Sequence, residues 1–414
     1  RFLSLMLIST AVDFLCGLGL ARRKSKLLLA VSIVTNLSIL AVFKYHDFFM
    51  GELNAALLEQ GVELRFRLLE LALPVGLSFY TFQSMAYSID VYRGRVSATR
   101  NPLTFALFVS FFPQLVAGPI ERTERLMPQL DGPRHRTRRQ LAHGAHLILW
   151  GFFKKVFVAD NLAVIVQSVF EYPDEPSGFM VLIAAYAFTW QIYCDFSGYT
   201  DIARGVAKLL GVELMVNFRL PFFAASPREV WHRWHISLSE WLRDYLYVGL
   251  GGNRQGALRS GLNMLVTMVL GGLWHGANWT FLVWGAYHGG ALALQRMLPS
   301  IKLPRVVGIV LTFHFTVLGF LIFRAHDLAQ VGELLSIVAT NFSPVATDQY
   351  ATVQFLVLIS FPLLMELLQY RQDSDLDLFM RWPAPVQALL SLAMLLAVVI
   401  LGATYGQEFI YFQF

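Results

Sequence analysis

SGLNMLVTMVLGGLWHGANWTFLVWGAYHGGALALQ, residues 260–295, decides how the rest of the chain is read. The run holds no Asp, Glu, Lys or Arg. At about 1.5 Å per helical residue its two halves make helices of roughly 24–27 Å, near the thickness of a hydrocarbon layer of roughly 30 Å. Spans at 260–275 and 278–295, joined by a tight turn, are therefore predicted. His275 sits at that turn, flanked by Trp274 on one side and by Gly276 and Trp279 on the other. A titratable imidazole among residues of hydrocarbon character is costly to hold and is usually retained for a function. The plainer reading is a neutral, packed imidazole bonded to a carbonyl.

The same character runs through the whole chain. Of its 414 residues 56% are hydrophobic and only 15% charged, where soluble proteins carry about 25%. The predicted fold class is all-α: a polytopic transmembrane helical bundle of about 10–11 spans, with re-entrant and interfacial helices around a tunnel. It is read as one membrane domain over 1–414. A transmembrane β-barrel does not fit, because the apolar segments are continuous rather than alternating. Beyond the two spans above, we place spans near 3–20, 27–49, 68–90, 141–169, 178–203, 306–325, 351–369 and 384–405. The stretch 102–119 is apolar but interrupted by Pro113, Gly118 and Pro119, and reads as re-entrant or as a short broken helix. Residue 1 is Arg and opens directly into an apolar stretch, so a preceding segment is expected.

The net charge of +5 fits basic cytoplasmic loops and gives no argument for nucleic acid. Arg22, Arg23, Lys24 and Lys26 place the first loop in the cytoplasm; Arg93, Arg95 and Arg100, and then Arg122 through Arg139, place both flanks of 102–119 there too. Arg204, Lys208 and Arg219, and later Arg296, Lys302 and Arg305, mark further cytoplasmic turns. The acidic loop 171–178 and the loop 326–350, which lacks Lys and Arg, fit the outside; 371–381 mixes charges and is ambiguous. Cys16 and Cys194 lie in apolar segments, at a spacing that suggests neither a disulfide nor a metal site.

The segment 225–248 does not look like a span. Trp231, Trp234, Leu238, Trp241 and Tyr245 recur at helical spacing, with His232, His235, Ser239 and Arg243 on another face. This predicts an amphipathic helix at the interface or along a polar cavity. The pair His232 and His235 lacks the intervening Glu and the third ligand that zinc needs, so no metal is expected. FSGYTD (196–201) lacks the strand–turn–helix setting of a serine nucleophile. Asp195 and Asp201 read either as lining for a polar tunnel or as capping and pairing groups, the latter with Arg204. GGNR (251–254) resembles half of a phosphate-cradling loop, and Arg254 could meet a donor's phosphates. His232, His288 and His314 read as structural or interfacial.

Several runs together carry a family resemblance: PQLVAGPIE (113–121), DFSGYTDIA (195–203), WHRWHISLSEWLRDYLY (231–247), GGNR (251–254), LWHGANWTFLVWG (273–285) and FIYFQF (409–414). Together they resemble the membrane-bound O-acyltransferase family, in its bacterial polysaccharide O-acetylating branch, from about residue 70 onward. The resemblance implies a bundle of roughly eleven spans with re-entrant elements, and a tunnel entered from the cytoplasm by an acyl donor. It implies that His275, in LWHG, is catalytic and that His235, in WHISLS, is the second family histidine. The family usually has Arg where this chain has His232.

On these grounds the expected activity is acetyl transfer from cytoplasmic acetyl-CoA to a hydroxyl of an exported polysaccharide, or to a periplasmic acetyltransferase partner that relays it. The setting would be the lipid of a bacterial inner membrane, with no bound cofactor. His275 is the expected general base and His235 a proton-sharing or orienting group. Asn278, Trp274, Arg254, Asp195 and Ser239 are the expected substrate or donor contacts, with Asn278 facing the oxyanion. D-alanyl or other acyl transfer, and transport without chemistry, remain alternatives.

Overall fold

The computed structural model describes residues 2–115, 118–171, 176–298, 303–372, 378–404, 406 and 408–410. Lys302, part of the acidic loop at 172–175, the ambiguous 373–377 and most of the terminal FIYFQF motif lie outside the described residues.

Among the described residues the regular secondary structure is all helical. An N-terminal group comprises α1 (Phe2–Arg22), α2 (Lys26–Leu40), a π-helical turn at Ala41–Tyr45 and α3 (His46–Glu59). Next come α4 (Leu77–Arg93), the short α5 (Pro102–Ser110) and α6 (Phe112–Leu115), and α7 (Thr123–Leu130). A long rod follows: α8 (Arg138–Phe152), a π segment (Phe153–Ala159) and α9 (Asp160–Phe170). Then come α10 (Gly178–Leu209), α11 (Pro227–Arg233), α12 (Ile236–Trp241), a π turn (Leu242–Tyr247), and the hairpin of α13 (Gly256–His275) and α14 (Trp279–Met297). The chain closes with α15 (Arg305–Arg324), α16 (Leu328–Thr340), α17 (Ala346–Arg371) and α18 (Ala384–Leu401).

Among the described residues seven helices are long and apolar enough to cross a membrane: α1, the continuous Lys26–Glu59 rod, α10, α13, α15, α17 and α18. These match seven of the ten predicted spans, and the helix α14 occupies the predicted 278–295. The other two differ for physical reasons. Residues 62–74 form no helix, with Glu70 at φ 49°, and helix α4 begins only after Pro74 and after Gly76 at φ 76°, a left-handed position suited to glycine. Helix α4 carries Ser78, Thr81, Gln83, Ser84, Ser88 and Asp90 in buried positions, so it lies inside the bundle rather than against lipid. The 138–170 rod holds Lys154 and Lys155 at its π segment. Both cations are buried and paired, Lys154 with Asp201 at 2.7 Å and Lys155 with Asp160 and Asp195 at 2.7 Å each. The apolar 102–119 stretch is two short helices broken at Phe111, within the range of readings its prolines allow.

Two buried clusters make the core. One surrounds α10, packed on α8, α9, α15, α16 and α17. The other joins the N-terminal helices to α4, Trp241 and Trp274. Large apolar side chains on α18 and α15, among them Leu389, Val399, Ile400 and Val306, face outward, as a lipid-contacting surface requires. The α13–α14 hairpin is close-packed. A Cβ on Gly285 would lie 2.4 Å from the Met268 carbonyl, so glycine alone permits that helix approach.

Candidate functional site

Helix α13 ends at His275, and its last turn delivers the imidazole into an aromatic box. The ring centroid lies 5.0 Å from that of Trp274, 5.2 Å from Trp284 on α14 and 5.4 Å from Phe323 on α15. All three contacts are edge-to-face, a favoured geometry for rings. Of the two tryptophans that flank His275 in sequence, Trp274 walls the ring, with Trp284 across from it, while Trp279 is exposed and packs on Phe48 at 6.0 Å. The edge of Phe281 fills the space beside Gly276, 2.1 Å from where a Cβ would stand.

His235 arrives from a different element. The predicted single amphipathic helix is broken into α11, α12 and a π turn, with Trp234 and His235 at the break. His235 adopts φ 43°, a left-handed conformation rare outside glycine, and is fully buried rather than on an interfacial polar face. Asn217 imposes the break. Its Oδ1 accepts from the Ser237 amide at 3.1 Å and from the Ser237 hydroxyl at 2.8 Å, and lies 3.4 Å from His235 Nδ1. The Ile236 amide donates to the Asn217 carbonyl, and the Ile120 amide to Ser237 Oγ at 3.0 Å. Three separated stretches, at 120, 217 and 235–237, are thereby tied at one point. Burial pushes the His235 imidazole down to about 3, so the ring is held neutral.

The two imidazoles meet, with ring centroids 6.4 Å apart. Trp274 touches both, at 5.0 Å from His275 and 6.1 Å from His235. A stack runs outward from it: Phe82 lies on Trp274 at 5.4 Å and on Trp241 at 3.9 Å. Beside Trp274 opens a cavity of about 230 Å³, lined by Lys44, Pro74, Ser78, Phe79 and Glu408 among others.

The remaining predicted contacts stand elsewhere or are committed to other bonds. Asn278 caps α14: its Oδ1 accepts from the Thr280 amide at 3.0 Å, and its Nδ2 donates to the His326 carbonyl at 2.8 Å. That is a turn-holding arrangement, in place of the expected oxyanion contact. Ser239 donates to the Trp234 carbonyl at 3.2 Å, and the serine at the core of the histidine loop is Ser237. Asp195 is paired with Lys155 and accepts from the Ile410 amide at 2.8 Å, docking the C-terminal segment rather than lining a tunnel. Asp201 pairs with Lys154 and Arg204, which is the pairing reading. Arg254 is exposed in the turn before α13, about 30 Å from His275 along that helix, too far to share its chemistry. His288 is buried against Trp284, Trp231 and Phe315, and His314 bonds the Val310 carbonyl of its own helix. Reading the sequence missed Asn217, Trp284 and Phe323, none of which carries a local signal.

This arrangement of buried, indole-walled imidazoles in a polytopic bundle defines a membrane enzyme class, and comparison with known proteins identifies the family. The family model described as MBOAT, membrane-bound O-acyltransferase, matches residues 95–324. The chain is 37% identical to the "Probable alginate O-acetylase AlgI" of Pseudomonas putida, over 100% of this chain and 90% of that protein. It is 44% identical to the protein of the same name in Azotobacter vinelandii, over 79% of this chain and 66% of the relative. Similarity extends to a "Peptidoglycan O-acetyltransferase" of Helicobacter pylori, at 34% identity over 81% of this chain and 69% of that protein. The alignments with the Azotobacter protein and with two further relatives of the same name span slightly less than two thirds of their length, 64 to 66%. The chain belongs to the membrane-bound O-acyltransferase family and is a multi-pass membrane protein.

Proposed function

We propose that this chain is a membrane O-acetyltransferase of a bacterial inner membrane. It takes acetyl from cytoplasmic acetyl-CoA and delivers it to a hydroxyl of an exported polysaccharide, or to a periplasmic acetyltransferase partner that relays it. The observation that carries this reading is the facing pair His235 and His275, buried beside a cavity in a family of acyltransferases.

The chemistry follows from the pair. His275 accepts the proton of the acceptor hydroxyl as its oxygen attacks the thioester carbonyl. The C–O bond forms, the C–S bond breaks, and the proton passes from the imidazole to the leaving thiolate. His235, held neutral and bonded to Asn217, orients the hydroxyl or shares its proton. The aromatic box excludes water, which protects the thioester from hydrolysis and strengthens each polar contact inside. Trp274 lines the cavity and packs on both imidazoles, so on this reading the acceptor passes that indole to reach His275.

The test uses purified protein, in detergent and reconstituted into vesicles, with labelled acetyl-CoA and a soluble polysaccharide acceptor. Acceptor-dependent release of free thiol with ester formation is expected. Uptake of label into vesicles without loss of thioester would indicate transport. Turnover only with a carrier-bound D-alanyl donor would reassign the acyl group.

A further inference from the structure

The predicted 27–49 span conceals a cation. Lys44 lies in the π-helical turn of the Lys26–Glu59 rod, inside a segment otherwise apolar enough to cross a membrane. A lysine at that depth is costly unless it meets a specific partner. Its Nζ donates to the Trp274 carbonyl and to the His275 carbonyl, at 2.8 Å each. These carbonyls belong to the last turn of α13, where an α-helix leaves carbonyls without intrahelical partners and presents the negative end of its dipole. The π turn inserts a residue into the ladder and re-aims the side chains that follow, a device that recurs at functional sites. The ammonium also lies 5.9 Å from the Trp274 ring centroid, over an indole that lines the cavity and packs on both imidazoles.

Resting on the acyl-transfer reading above, we propose that Lys44 is a positioning residue for His275: it clamps the final carbonyls of α13 and so fixes where the imidazole and Trp274 stand. The Gly276 amide bond to the Gly272 carbonyl, at 3.4 Å, lies a turn back and does not act on the carbonyls of residues 274 and 275, which the ammonium holds directly. Misplacing a reacting group by about 1 Å can cost on the order of a hundredfold in rate. The cation acts through helix α13, not on substrate, so its loss should affect turnover rather than donor binding.

The experiment compares wild type, Lys44→Met, Lys44→Gln, Lys44→Arg and His275→Ala in the thiol-release assay, with melting curves on each. Lys44→Met is expected to lower kcat at least tenfold with KM for acetyl-CoA within about twofold of wild type. Lys44→Arg, which keeps the charge and the donors, should recover most of that loss. A Lys44→Met protein that folds and turns over at the wild-type rate overturns the proposal, as does an equal rise in KM with kcat unchanged. Should Lys44→Met fail to fold, Lys44→Gln against Lys44→Arg decides: equal kcat in the two overturns it. If wild type and His275→Ala release thiol equally, the acyl-transfer reading itself fails; an active wild type with an inactive His275→Ala isolates the result to Lys44.

Discussion

The His235 and His275 imidazoles face each other at 6.4 Å and an interplanar angle of 61°, although one sits in a broken loop and the other at the end of a spanning helix. Each is fixed by something remote in sequence: His235 by Asn217, His275 by the carbonyl-clamping Lys44. The pair is thus a product of tertiary packing, and its geometry is open to test at the residues that hold it.

The first prediction concerns pH. Burial lowers the His235 imidazole from its ordinary 6.5 to about 3 in the folded protein. A depressed histidine binds fewer protons folded than unfolded. Its contribution to stability is therefore fully present above about 6.5 and is lost as pH falls through that value toward 3. Melting temperatures of wild type and His235→Gln, measured from pH 8 down to pH 5, should converge on acidification. Parallel curves would mean the ring is not held neutral by burial.

A second prediction tests the packing behind the box. Gly276→Ala would place a methyl 2.1 Å from the Phe281 ring. Overpacking of this kind costs about 1–3 kcal/mol. The variant should melt lower than wild type in detergent, and a smaller ring-position side chain, in Gly276→Ala with Phe281→Leu, should recover part of the loss. An unchanged melting temperature for the single variant would show that Phe281 has room to move.

Asp195 separates a structural account from a chemical one. Asp195→Asn removes the charge that pairs with Lys155 and weakens the acceptor for the Ile410 amide. The loss should stay below the roughly 3–5 kcal/mol that follows outright removal of one partner of a buried pair. Asp160, 2.7 Å from Lys155, still holds the lysine. Lower thermal stability and faster proteolysis of the C-terminal segment are expected, with turnover per folded molecule close to wild type. Lost turnover in an equally stable protein would return Asp195 to the acyl path.

Much of the bundle was legible because its signal is local. Apolar length marks α1, α10, α15, α17 and α18, and the charge-free run 260–295 gives the α13–α14 hairpin with His275 at its turn. The segment 225–248 misled for an instructive reason. Its tryptophans do recur at helical spacing, yet Asn217, 18 residues before His235, forms bonds that a continuous helix could not make. Periodicity records which side chains are apolar and says nothing of a remote amide that breaks the helix. Asn278 and Ser239 looked like substrate contacts because their types suit that work; the structure uses them on a helix cap and a turn carbonyl. Lys44 did carry a sequence signal, a lone cation in an apolar span, which charge-counting for orientation passed over.

The central claim is that His275 takes the acceptor's proton during acyl transfer. Ester content of the exported polysaccharide, measured in cells whose only copy carries His275→Ala at wild-type protein levels, tests it most directly. The account predicts a loss on the order of 10²–10⁴ in transfer rate and ester content near background. Near-normal ester content in those cells would contradict it.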